Sequence, residues 1–195
     1  MELLFKIFFL SVILLILMSC EDEKSPEVTF YSFETSELTN KTTDFNLSIT
    51  FRSPLNWDLR TSEISKRTDK SKGIIGEFVY NPSYLFFDDS TTSVLNLGKV
   101  ITPDSLKGRE DVLNIYSQIL VSKQSSDLDY KVEQFAKDGI KFTQFSIDQR
   151  TIISKRIIFQ NKFQDIIQFE FTSKAALFNS EYEKIKQSIG SIQLL

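Results

Sequence analysis

Cys20 is the single cysteine of the chain, and its thiol is the most distinctive nucleophile the sequence offers. It closes the run Leu17-Met18-Ser19-Cys20, between the almost continuously apolar stretch from Ile7 to Leu17 and the acidic start Glu21-Asp22-Glu23. About eleven apolar residues span roughly 16 Å as a helix, too short for a ~30 Å hydrocarbon core. With Lys6 in the leader and the small Ser19 before the cysteine, the layout is that of a secretory signal. An ordinary signal ending in cysteine would leave a lone reactive thiol in an oxidising compartment.

Other chemistry is limited by what is missing. The chain has no histidine, and both methionines, Met1 and Met18, fall in the leader. Histidine-based acid and base catalysis, Cys/His and Ser-His-Asp nucleophiles, zinc or copper sites and disulfide exchange all need absent residues. Carboxylate chemistry, oxygen-ligand calcium or magnesium sites and Lys/Ser mechanisms remain open. Tyr80, Tyr84, Phe86 and Phe87, followed by Asp88 and Asp89, could form an aromatic and acidic surface for a sugar or a calcium ion. A buried aromatic strand followed by a polar turn explains the same residues, and Asp88-Asp89-Ser90 lacks the spaced acids and central glycine of an EF-hand loop. Adjacent acids on a strand point to opposite faces, which disfavours Asp88 and Asp89 as a catalytic pair. Trp57, after Pro54-Leu55-Asn56, could present its indole to a partner, although a single tryptophan beside a strand end is more often core or rim packing. Glu181 and Glu183 suit the positive end of a helix dipole. Lys66, Arg67, Lys70 and Lys72, interrupted by Asp69, read as a solvated loop able to meet lipid headgroups or an acidic partner. No catalytic residue, cofactor or metal site is expected.

Leu17, Met18, Ser19 and Cys20 resemble the bacterial lipobox. That resemblance implies cleavage after Ser19, diacylglycerol on the sulfur of Cys20 and durable anchoring through acyl chains, palmitate among them. The acids behind Cys20 resemble the surface-export signal of Bacteroidota lipoproteins, and also read simply as a solvated linker. Loss of residues 1–19 removes Glu2 and Lys6, so the remaining chain keeps the formal net charge of −3. It is mildly acidic and unsuited to nucleic acid. Residues 20–28 are expected to be the lipidated cysteine and a tether, and residues 29–195 a single globular domain.

The elements that must position any site follow from apolar periodicity. With 41% apolar and 13% aromatic residues, including eighteen phenylalanines, one domain can build a substantial core without a disulfide. Phe45, Leu47, Ile49 and Phe51 alternate with polar residues as a strand with one buried face. Gly76 to Tyr80, Tyr84 to Phe87 and Val94 to Val100 read as short strands separated by the turn clusters Asn81-Pro82-Ser83 and Asp88-Asp89-Ser90, and this first sheet region ends near Ile101. Thr102-Pro103-Asp104 predicts a helix start. Residues 112–121 then fit a helix through Val112, Ile115, Tyr116, Ile119 and Leu120, or a strand. Leu128, Val132, Phe135 and Ala136 lie on one helical face that Gly139 can terminate. Strands follow near Phe142 to Asp148, Ile152 to Phe159 and Asp165 to Thr172. Tyr182, Ile185, Ile189 and Ile192 mark a closing helix capped by Asn179 or Ser180.

This order describes an α+β domain with a mainly antiparallel sheet flanked by helices. Phe45 to Trp57, reading FNLSITFRSPLNW, resembles the opening strand and proline-tryptophan turn of PsbP/Mog1-like domains. EYEKIKQSIGSIQL, Glu181 to Leu194, resembles their closing helix and serine-ending tail. The resemblance implies an α/β/α layered domain, often lipid-anchored in bacteria, serving as an accessory or docking module rather than an enzyme. The expected function is therefore a membrane-anchored, non-catalytic lipoprotein meeting a protein partner of a cell-envelope complex, with the outer membrane favoured, on its periplasmic or surface face. The alternative is a glycan- or peptide-binding protein or a carboxylate-dependent hydrolase at the cell surface.

Overall fold

Alternation of apolar residues at period two builds most of the structure, because each long strand must offer one face to each of two covering layers. The computed structural model describes residues 35–60, 73–123 and 129–195. In chain order the strands and helices are β1 (Thr42–Asp44), β2 (Ile49–Phe51), β3 (Asp58–Leu59), β4 (Gly73–Ile75), β5 (Phe78–Asp88), β6 (Ser93–Ile101), α1 (Val112–Ser122), β7 (Asp129–Lys137), β8 (Ile140–Asp148), β9 (Ile152–Gln160), β10 (Ile166–Lys174), α2 (Phe178–Gly190) and β11 (Gln193–Leu194). The main sheet runs β3-β5-β6-β10-β9-β8-β7 with β4 also on β5, every pairing antiparallel. A small antiparallel sheet, β1-β2-β11, lies apart from it. This is the expected α+β fold.

The two faces of the main sheet carry separate apolar layers. On one, Leu95, Leu97, Phe169 and Phe171 pack with Ile49 and Phe51 of β2 and with Ile185 and Ile189 of α2. On the other, Phe78, Val100, Phe145, Ile158 and Ile166 pack under Val112, Tyr116 and Leu120 of α1. A fully buried Phe, Leu or Ile contributes about 1.5–3 kcal/mol by leaving water, so these layers dominate the stability. Edge-to-face contacts of Phe51 with Tyr84 at 5.2 Å and with Phe169 at 6.2 Å seat the small sheet on the large one.

The two segments that carry the PsbP/Mog1 resemblance meet in space. The Arg52 amide donates to Ser191 Oγ at 2.8 Å, and Ser188 Oγ donates back to the Arg52 carbonyl at 2.5 Å. The end of α2 is thereby fixed to the strand that precedes the proline-tryptophan turn.

Several expectations are corrected. The strand expected over Phe45 to Phe51 shrinks to Ile49–Phe51, since the Asp44 carboxylate accepts the Leu47 amide at 2.8 Å and Ser48 takes φ 54°, closing a turn. Asn81-Pro82-Ser83 does not divide two strands: β5 is continuous and carries a bulge there. The first run of strands ends at Ile101, as expected, and its last strand, β6, pairs with β10. Thr102-Pro103-Asp104 starts only a single 3-10 turn over Asp104–Leu106; Gly108, at φ 78°, follows it, and α1 begins at Val112. Residues 112–121 are helical rather than extended.

The expected helix through Val132, Phe135 and Ala136 is strand β7. Asp138 and Gly139, at φ 50° and 78°, form the two-residue turn of a β7–β8 hairpin, which needs positive φ at both positions. Gly139 thus reverses a strand instead of ending a helix. The closing helix has no side-chain cap from Asn179 or Ser180; a 3-10 turn over Ala175–Leu177 runs straight into it, and Ser180 Oγ bonds back to the Leu177 carbonyl at 2.9 Å.

Candidate functional site

The bulge in β5 decides what the aromatic and acidic candidates can do. Pro82 pairs with Gly98 and Tyr84 with Leu97, so Ser83 is an extra residue and the inward-facing parity changes. Tyr80, before the bulge, joins the layer under α1, whereas Tyr84 and Phe86, after it, join the layer under α2. The two tyrosines therefore lie on opposite faces of the sheet and form no common surface.

Each candidate is engaged in packing or in local hydrogen bonds. Trp57 is buried, 6.2 Å from the Phe171 ring, and its indole nitrogen has no hydrogen-bond partner among the described residues. Burial, then the nearby Glu170 charge, pushes the Tyr80 hydroxyl well above its ordinary pKa. Tyr84 stacks on Phe86 and donates to Asp44 Oδ2 at 2.9 Å; burial and that hydrogen bond push its pKa up to about 12. Asp88 Oδ1 accepts from the Ser90 amide at 2.9 Å and from Ser90 Oγ at 2.6 Å. Burial would raise the Asp88 pKa, but the Ser90 and Thr91 hydrogen bonds outweigh it and hold it below the usual value. Asp89 is exposed and pairs with Arg60, whose guanidinium also lies 4.1 Å from the Phe87 ring centroid. Asp88 is thus a turn-forming acid and Asp89 a surface ion-pair partner, with no shared ligand between them.

Two polar constellations that periodicity alone did not reveal are present. Under α1, Tyr116 donates to Gln168 Oε1 at 2.7 Å, Gln168 Nε2 reaches Glu170 at 3.3 Å, and Arg156 pairs with Glu170 at 3.0 Å. Burial works against the Arg156 charge, but Glu170 together with Tyr116 and Tyr80 outweighs it and the guanidinium pKa is raised. Gln168 and Glu170 alternate with the core phenylalanines, which marks them as a solvent face; α1 packs on that face, where Gln168 is buried against Tyr116 and Glu170 stays part-buried.

On the other face, Gln144 links the Tyr182 hydroxyl to Glu133, and Lys155 donates to Ser146 Oγ. Burial holds the Lys155 pKa below its ordinary value, and Glu133 offsets only part of that shift. The Phe178 and Tyr182 rings, 5.9 and 5.3 Å from Nζ, favour the ammonium form.

A cleft of about 370 Å3 opens between the start of α1 and the β7–β8 turn, with Glu110, Asn114, Lys141 and Gln160 among its walls. None of Trp57, Tyr80, Tyr84, Asp88 or Asp89 lines it. Among the described residues no three acidic, histidine or cysteine side chains are grouped to hold a metal ion. Leu17, Met18, Ser19 and Cys20, and the basic run Lys66 to Lys72, lie outside the described residues. Among the described residues, no helix is long and apolar enough to cross a membrane.

No protein-family model matches the chain, and no curated protein matches its sequence. Its structure is similar to the solution structure of cyanobacterial PsbP (CyanoP) from Synechocystis sp. PCC 6803, with a TM-score of 0.52 and 13% identity over 82% of this chain and 93% of that one. The domain therefore has a PsbP-like fold.

Proposed function

We propose that this chain is a lipid-anchored accessory protein of the cell envelope, tethered through Cys20 and docking by its folded domain onto a protein complex without catalysing a reaction. The observation that carries this reading is the fold shared with cyanobacterial PsbP, which extends over 82% of the chain. The engagement of the aromatic and acidic candidates in packing and turns agrees with it, since those residues converge on no common ligand. The Leu17-Met18-Ser19-Cys20 run supports the anchor, and the acidic Glu21-Asp22-Glu23 behind it favours the outer membrane of a Bacteroidota-type envelope.

Crosslinking and affinity purification of the tagged protein from native membranes, beside a Cys20→Ala chain, tests both parts. One partner recovered near stoichiometric amount, and lost with the Cys20→Ala chain, is the expected result. Recovery of the protein alone would refute docking, and membrane retention of the Cys20→Ala chain would refute the lipid anchor.

A further inference from the structure

Among the described residues, Phe45 and Phe163 are the two aromatic side chains in the set of exposed large apolar residues, 82% and 65% exposed. Both stand at the tips of rigid turns. The Phe45 turn is closed by the Leu47 amide on Asp44 at 2.8 Å and by Ser48 Oγ on the Phe45 carbonyl at 3.1 Å. The Phe163 turn is closed by Asn161 Oδ1, which accepts the amides of Phe163 at 2.9 Å and Asp165 at 3.0 Å. Asn161 Nδ2, buried, donates to the Leu47 carbonyl at 3.0 Å and fastens one turn beside the other. The two rings are therefore held out by construction at one end of the sheet, where water gains nothing from them.

The charges around the tips are uneven. Asp44 is occupied by the Leu47 amide and the Tyr84 hydroxyl, and Asp165 by Lys99 at 2.7 Å. Lys41 reaches only the neutral Gln193 at 2.9 Å, and Lys162 lies 5.1 Å from the Phe163 ring; among the described residues neither has a carboxylate partner. Two exposed rings, with Lys162 beside one of them and Lys41 at the far end of β1, neither paired with a carboxylate among the described residues, match a bilayer interface carrying anionic lipid, where rings enter the acyl boundary and lysines meet phosphate.

We infer that the Phe45 and Phe163 turns are a second membrane contact, which seats this end of the domain on an anionic phospholipid surface. The inference rests on the lipid anchor proposed above, and the chain length allows both contacts at once. The chain enters the fold near Leu38, which bridges Pro54 at the end away from Phe45. The residues between Cys20 and Thr35 can extend to about 50 Å, more than the roughly 30 Å of a nine-residue strand.

The test uses the full chain purified from membranes and reconstituted in phosphatidylethanolamine/phosphatidylglycerol vesicles that contain a spin-labelled lipid. An environment-sensitive dye is placed on Asn46→Cys, beside the Phe45 tip, or on Gln149→Cys in the turn at the opposite end; both native positions are exposed. The expected result is a blue shift and at least twofold stronger quenching at position 46 than at 149, abolished by Phe45→Ser with Phe163→Ser. Equal quenching at the two positions, or quenching that survives the double replacement, would overturn the inference. Dye uptake by the chain without an introduced cysteine would mean a free Cys20 thiol and defeat the anchor reading alone. The same two probes on a Cys20→Ala chain then still decide the tips.

Discussion

Gly98 sits directly across the β5–β6 ladder from Pro82, and a Cβ at Gly98 would stand 2.2 Å from the Asn81 carbonyl oxygen and 2.6 Å from the Pro82 Cα. Backbone, not a flexible side chain, occupies that space, so the bulge and the glycine require each other. Gly98→Ala is expected to destabilise the fold by about 1–3 kcal/mol, the range for forced overpacking. For a chain of this size the melting temperature should fall by roughly 2–4 °C per kcal/mol. A melting temperature unchanged by Gly98→Ala would show that the two strands do not approach so closely.

Ser191 joins residues far apart in sequence by accepting the Arg52 amide and donating to the Ser188 carbonyl at 2.6 Å. Its removal leaves the Arg52 amide without its acceptor in a nearly dry site. Ser191→Ala should cost about 1–3 kcal/mol in denaturant unfolding, through a lower midpoint at constant slope. A loss of less than a few tenths would mean that water replaces the hydroxyl.

The Arg156–Glu170 pair lies mostly out of solvent, with 16% and 26% of the two side chains exposed. Glu170→Ala alone strands a largely buried guanidinium, and a loss of roughly 2–3 kcal/mol is expected, slightly under the range for fully buried pairs. Arg156→Met combined with Glu170→Leu should recover most of that loss. Additive losses in the double-mutant cycle would contradict the coupling.

Raising the pH should weaken the fold at its tyrosines. Burial, with the Asp44 hydrogen bond at Tyr84, pushes Tyr84 up to about 12 from 10.0, and burial pushes Tyr130 up to about 12. The folded state thus holds the phenol proton more tightly than the unfolded chain. The associated stability is fully present below pH 10 and is lost as the pH rises towards 12. Spectrophotometric titration should show these phenols ionising late in the folded protein, and tyrosinate forming fully near pH 10 in native solvent would contradict it.

Trp57 is 6% exposed against Phe171, so its fluorescence should be blue-shifted and poorly quenched by acrylamide until the protein unfolds. Trp57→Ala should cost about 3–5 kcal/mol. Trp57→Phe should leave partner recovery from native membranes unchanged, whereas loss of the partner with a fold still intact would restore the indole as a contact residue.

How much was legible depended on how many faces a segment buries. Ile167, Phe169 and Phe171 alternate so regularly that strand β10 follows from the sequence, and the runs that became β6, β8 and β9 also read as strands. β7 was misread because Val132, Phe135 and Ala136 satisfy helical spacing equally well, and pairing with β8 rather than local periodicity settles the choice. Gln168, Glu170 and Arg156 carry no signal of burial in sequence, since only the packing of α1 over that face removes them from water. The two segments that resemble PsbP/Mog1-like domains were each legible as a short stretch of chain, whereas their meeting, Ser188 and Ser191 against Arg52, spans 136 and 139 positions and carries no local signal.

By itself the sequence determined the chemistry that is excluded, through the absence of histidine and the single cysteine, and the α+β alternation of elements, because residue types and local periods need no distant partner. The tertiary structure alone decided that Tyr80 and Tyr84 part to opposite faces and that Phe45 and Phe163 stand together at one end. Each of these depends on one inserted residue or one long-range hydrogen bond, at Ser83 and at Asn161, whose effect appears only when separate strands are laid side by side.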